Sequence, residues 1–158
     1  MTRFAAFGLI LTLLLPFGAH ASADEGAQGP YGLWLTEKRK VAINLAPCGE
    51  EMCGEIVWLA KPYTKSGILK RDVENPDPAL RDRPWCGITV ITGLRQKKAG
   101  VWKSGEFYFP KDGRRYDLEI KQVGDQLKVY AFLGVKLLGK SEKWSRADPE
   151  KIGCVEAS

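Results

Sequence analysis

From Tyr31 to Arg146 apolar and polar positions alternate in short runs with a period of two, and glycine-containing turns separate the runs. The clearest run sets Tyr116, Leu118 and Ile120 against Asp117, Glu119 and Lys121. Val41, Ile43 and Leu45 form one face of an earlier strand, and Leu127 to Phe132 forms a later one. Met52 to Ala60 carries apolar residues on both faces, which suits a strand buried on both sides or one lining an apolar cavity. Further strands are predicted over Tyr31–Thr36, Ile88–Leu94, Val101–Lys103, Glu106–Phe109 and Lys136–Arg146. No stretch of about ten or more residues keeps a helical stripe. The fold class expected is all-β: a small closed antiparallel barrel of eight or nine strands, closure being what removes exposed edges.

One segment breaks the rhythm. Lys61 to Pro84 is longer than a mere connection in a compact domain, and such loops are functional or disordered. Asn75 to Gly87 holds three of the nine prolines, each of which fixes φ and removes a backbone donor, so this stretch is neither helix nor interior strand. Alternating charges at Asp72, Glu74, Asp77, Arg81, Asp82 and Arg83 suit internal ion pairs, and an ordered loop is expected.

The beginning of the chain reads differently. Arg3, an apolar run from Phe4 to Leu15 and the small residues Ala21-Ser22-Ala23 make a secretory signal peptide cut after Ala23. The apolar core is shorter than the ~20 residues of a spanning helix, so no transmembrane segment is expected after cleavage, and the location expected is periplasmic or secreted. Residues 24–158 form one domain by size. The leader contains His20, the sole histidine. Its removal takes away the commonest general base, the commonest zinc ligand and the usual partner of a nucleophilic serine or cysteine.

Export permits disulfides among Cys48, Cys53, Cys86 and Cys154. Four cysteines allow three pairings. Cys48 with Cys53, neighbours across a Gly-Glu-Glu-Met turn, and Cys86 with Cys154 are favoured, and a four-thiolate zinc site is the rival reading. Charge adds little: +5 formally, +4 once Arg3 is lost, with both signs interspersed. Export and the lack of a dominant basic block argue against nucleic acid as a partner, and Arg95-Gln96-Lys97-Lys98 reads as a solvated hairpin tip. Asp72, Asn75, Asp77 and Asp82 lack the spacing of a calcium loop. Glu106, Asp117 and Glu119 are solvated strand carboxylates rather than a glycosidase pair, and no Gly-x-Ser-x-Gly or phosphate-cradling loop occurs. No metal, cofactor or enzymatic activity is expected.

Gly32-x-Trp34 in the first strand and Trp144-Ser145-Arg146 in the last resemble the lipocalin and calycin arrangement, in which a tryptophan closes one barrel end beneath an arginine. Together with Cys53-Gly54-Glu55-Ile56-Val57-Trp58-Leu59, with Asn75-Pro76-Asp77-Pro78-x-Leu80-Arg81-x-Arg83-Pro84, and with Trp102-x-x-Gly105-x-Phe107-Tyr108-x-Pro110-x-Asp112-Gly113-x-x-Tyr116, the chain resembles the DUF2147 family of small exported bacterial proteins from about Gly32 to Arg146. The resemblance implies a lipocalin-like barrel and a periplasmic location but little chemistry. Phe109 departs from it, standing where members usually carry a polar or acidic residue before the proline.

Gly32, Trp34, Trp144, Arg146, Asn75, Asp77, Arg81 and Arg83 are accordingly expected to be structural. Trp58, Phe107, Tyr108, Tyr116 and Tyr130 are the candidate lining of a cavity, since a barrel of eight strands holds one small ligand at most. The function expected is non-enzymatic binding of a small apolar or amphipathic molecule such as a fatty acid. The alternative is a structural or protein-interaction module of the envelope with a filled barrel.

Overall fold

Eight antiparallel strands pair each with the next, and the last returns to the first to close the barrel. They are β1 (Gly32–Leu35), β2 (Val41–Cys48), β3 (Glu51–Leu59), β4 (Thr89–Lys98), β5 (Val101–Phe109), β6 (Arg114–Val123), β7 (Gln126–Phe132) and β8 (Lys140–Arg146). The coordinates are a computed structural model that describes residues 29–151, 153 and 154. The segment expected to be a signal peptide, residues 1–23 with His20 in it, falls outside the described residues. No helix among those described is long and apolar enough to cross a membrane.

Closure is made where Trp34 pairs with Arg146 and Leu35 with Ser145. The inward positions of the strands supply most of a buried cluster that includes Trp34, Ile43, Met52, Leu94, Trp102, Leu118, Leu127 and Trp144. Two inward positions must be glycine for want of space. A Cβ on Gly54 would lie 2.9 Å from Leu45 Cδ2, and one on Gly105 would lie 2.5 Å from Leu94 Cγ.

Bulges reset the alternation in β3, β4 and β5, and those in β3 and β5 decide which way aromatic side chains face. In β3, Ala42 pairs with Trp58 while Ile43 pairs with Ile56, leaving Val57 as the extra residue. In β5, Trp102 pairs with Ile120 but Gly105 with Leu118, and Ser104 takes φ 62° to accommodate the insertion. A single strand thus runs through the segment that the sequence reading divided at Ser104. The last strand starts later than expected. Lys136–Leu138 curls into a 3-10 turn because Leu138 and Gly139 donate back to Val135 and Lys136, and the Tyr130 hydroxyl caps the Lys136 carbonyl.

Both disulfides take the favoured pairing, Cys48–Cys53 within the β2–β3 hairpin and Cys86–Cys154 between the end of the long loop and the C-terminal segment.

The two barrel ends and the candidate functional site

The ends differ in chemistry. At one end, the N-terminal segment crosses beneath Trp34, whose indole N–H donates to the Pro30 carbonyl at 2.6 Å. The Arg146 guanidinium lies 4.0 Å from the Trp34 ring centroid and donates to the carbonyls of Tyr31 (2.5 Å) and Gly29 (3.2 Å). Gly32, at φ 101°, lets the chain pass so close that a Cβ would sit 3.2 Å from the arginine Nη1. Trp34 is fully buried, so this end is plugged by a stacked cation-π pair. Trp144 lies in the same core, its indole N–H reaching Glu142 Oε2 at 3.2 Å.

The opposite end receives the β1–β2, β5–β6 and β7–β8 connections and the long loop between β3 and β4. That loop is ordered around a charge. Asp72 is fully buried and its carboxylate is saturated: Arg83 donates Nε (2.9 Å) and Nη2 (2.8 Å) to Oδ2, Asn75 Nδ2 joins them at 2.7 Å, and the Tyr108 hydroxyl donates to Oδ1 at 2.5 Å. Asn75 Oδ1 accepts from the Asp77 amide, the Asp77 side chain caps the 3-10 turn Pro78–Leu80, and Arg81 Nε donates to the Asn75 carbonyl. Asn75, Asp77, Arg81 and Arg83 therefore brace the loop from within.

Tyr108 is the wall-side anchor. By the β5 register its neighbours Phe107 and Phe109 face inward, so Tyr108 faces outward, yet only 4% of it is exposed because the loop covers it. Guanidiniums of Arg83 and Arg115 lie 5.9 and 5.6 Å from its ring centroid. Gly113 completes the seat: at φ 70°, a Cβ there would run into the Glu74 carbonyl oxygen. Burial, followed by the hydrogen bond to Asp72 and its charge, pushes the Tyr108 phenol up to about 12. A phenol held protonated by the fold binds its proton more tightly folded than unfolded. The stability it contributes is complete below pH 10, its ordinary value, and is lost as pH rises toward 12. Urea midpoints measured from pH 9 to 12 should fall through this window in the wild type and fall less in Tyr108→Phe.

The five candidate lining aromatics are not gathered into one cavity. Phe107 packs on the core from the inner wall, and Tyr116, its cross-strand partner, donates to Asp112 Oδ2 at 2.7 Å, a bond that raises its own pKa. Tyr108 faces the loop. Trp58 pairs with Ala42 on the outer side of the β3 bulge. Tyr130 faces outward under the 3-10 turn, where a Cβ on Gly139 would meet its Cζ at 2.5 Å.

What the open end offers is a partly exposed apolar rim. Phe107 and Phe109 stand 6.1 Å apart along the inner wall, Phe109 being 39% exposed. Ala131 lies on the same wall, opposite Lys140 at the lip. Of the eleven exposed large hydrophobic side chains among the described residues, nine belong to this end's connections and strand termini, including Leu133, Val135, Leu137 and Leu138; only Tyr31 and Val123 lie at the plugged end. Among the described residues no group of three or more His, Cys, Asp or Glu side chains could hold a metal.

Comparison with known proteins comes down to fold and family. Protein HP1028 from the human pathogen Helicobacter pylori, described as belonging to the lipocalin family, is similar in structure with a TM-score of 0.68. The match covers 80% of this chain and 92% of that chain at 20% sequence identity, a likeness of fold. No curated protein sequence matches. A family profile, that of an uncharacterised protein conserved in bacteria, matches residues 32–146 from the first strand to the last. By that match over well more than half of its length, the chain belongs to the DUF2147 family.

Proposed function

We propose that this protein is a non-enzymatic binding protein of the bacterial periplasm that holds an amphipathic molecule, such as a fatty acid, at the open end of its barrel. The observation that carries this reading is the uneven placement of exposed apolar side chains, nine of eleven at one end. Exposed aliphatic surface that no protein group covers is costly in water and marks a contact site. The ligand's tail would lie against Phe107, Phe109 and the Leu133–Leu138 rim, and its anionic head would meet Lys140. The two disulfides and the predicted leader support an extracytoplasmic location. Titration of the purified protein with palmitate, followed by calorimetry, tests it. Leu137→Asp/Leu138→Asp replaces side chains that are 90% and 78% exposed, so folding should be unaffected while affinity falls about tenfold or more. Absence of palmitate binding by the wild type, or equal binding by the variant, would sink this reading.

The filled interior favours a second reading, a structural or interaction module. One buried cluster includes Trp34, Trp102 and Trp144 together with inward residues of all eight strands. A wild type that binds no amphiphile yet captures an envelope partner through the rim would favour this reading over the first.

A further inference from the structure

A second feature lies on the outer wall, away from the rim. Lys98 pairs with Val101, Val101 with Lys121, Lys121 with Lys128, and Lys128 with Lys143, giving one cross-strand row over β4, β5, β6, β7 and β8. All four lysines are exposed; alternation from the buried Ile120, Leu127, Val129 and Trp144 turns Lys121, Lys128 and Lys143 outward, and a register shift between Gln96 and Lys98 sets Lys98 beside the outward Val101. At the usual spacing of neighbouring strands the row is roughly 19 Å long.

Like charges placed directly opposite on a sheet destabilise it, and Lys128 has a lysine on each side. Local acids do not relieve the row. Glu119, which lines the same groove as Lys98, Lys121 and Lys128, is engaged by Lys103 (3.8 Å) and Lys136 (2.5 Å), and none of the four lysines has an ion-pair partner among the described residues. The surface along Lys98, Lys121 and Lys128 is concave. Two adjoining open grooves of about 500 and 380 Å³ share Lys98, Val101, Lys103 and Glu119, and the second follows the row through Lys121 and Lys128 to Tyr130.

We infer that this groove is a binding site for an extended anionic glycan, a polysaccharide chain bearing phosphate, carboxylate or sulfate groups. The lysines neutralise its charges along the row, and Val101 and the Tyr130 ring edge give its sugar faces apolar contact. A concave track suits a chain better than a flat bilayer does, and lysine ammoniums read charge without the bidentate geometry that arginine imposes.

A fluorescent heparin-derived octasaccharide, titrated at low and high salt and followed by anisotropy, tests the site. Lys121→Glu/Lys128→Glu should weaken binding by about tenfold or more, and added salt should weaken wild-type binding. Lys38→Glu/Lys40→Glu, in the β1–β2 turn, makes the same change in net charge and should alter binding by less than about threefold. Independently, Lys128→Glu alone should raise the thermal midpoint, since it relieves two like-charge contacts. Equal losses in the two double variants would overturn the site and leave only general charge attraction. So would wild-type protein that ignores the octasaccharide but binds inorganic polyphosphate or phosphatidylglycerol vesicles, which would assign the row another partner. The palmitate titration reads the opposite end of the barrel, so either result stands apart from the other.

Discussion

Replacing Asp72 by alanine should cost about 3–5 kcal/mol of stability, the usual consequence of removing one partner from a buried charge network. Asp72 is the common acceptor of Arg83, Asn75 and Tyr108. Its loss strands a hydroxyl and an amide under the loop and leaves the guanidinium without its counter-charge. Arg83 keeps 35% of its side chain exposed, so water re-solvates part of it and the lower half of that range is expected. For a domain of this size the thermal midpoint should drop by roughly 10 °C or more. Tyr108→Phe removes the bond donated to Asp72 Oδ1 and the 3.1 Å bond accepted from Asn75 Nδ2, and should cost about 1.5–3 kcal/mol. Combined with Asp72→Ala it should add little, because the hydroxyl has already lost its acceptor. Calorimetry of the four proteins checks both magnitude and coupling, and limited proteolysis between Lys61 and Pro84 reports whether the loop lifts before the barrel opens. Full additivity, or an Asp72→Ala loss below about 1 kcal/mol, would show that other contacts hold the loop.

The second large effect belongs to the long-range disulfide. Cys86–Cys154 closes a separation of 68 residues and Cys48–Cys53 one of 5. Chain-entropy arithmetic assigns about 4 kcal/mol to the first and about 2 kcal/mol to the second. Cys86→Ser/Cys154→Ser should accordingly lower the urea midpoint about twice as far as Cys48→Ser/Cys53→Ser. The geometry sharpens the expectation. Cys86 packs against the core beside Gly87, whose amide donates to the Ile56 carbonyl at 2.8 Å, so the bond ties the C-terminal segment to the junction of loop and wall. A smaller loss for the long-range pair than for the hairpin pair would mean that the C-terminal segment contributes little to the folded state.

Much of this was legible in the chain. Period-two alternation marked most strands because each strand of a small barrel has one face on a packed core and one in water. Trp34 and Arg146 could be matched across the whole chain by their motif alone, and prolines with alternating charges marked the ordered loop. The direction in which single aromatics face was not legible. Counted in twos from Trp102, Tyr108 would face inward, and counted from Ile56 so would Trp58. One extra residue at Ser104 and another at Val57 send both outward. A bulge leaves no trace in composition, since it is decided by which partner strand offers which carbonyl.

The sequence by itself thus determined an all-β chain cut by one ordered loop, because alternation, turns and prolines act over a few residues. Only the tertiary structure decided the register in which β8 meets β1, that Tyr108 and Asp72, 36 residues apart, share a proton-donating contact under that loop, and that four lysines from four strands form one row. Each of these depends on register between strands, and register is a property of pairs: it is fixed when the core packs, and no single segment carries it.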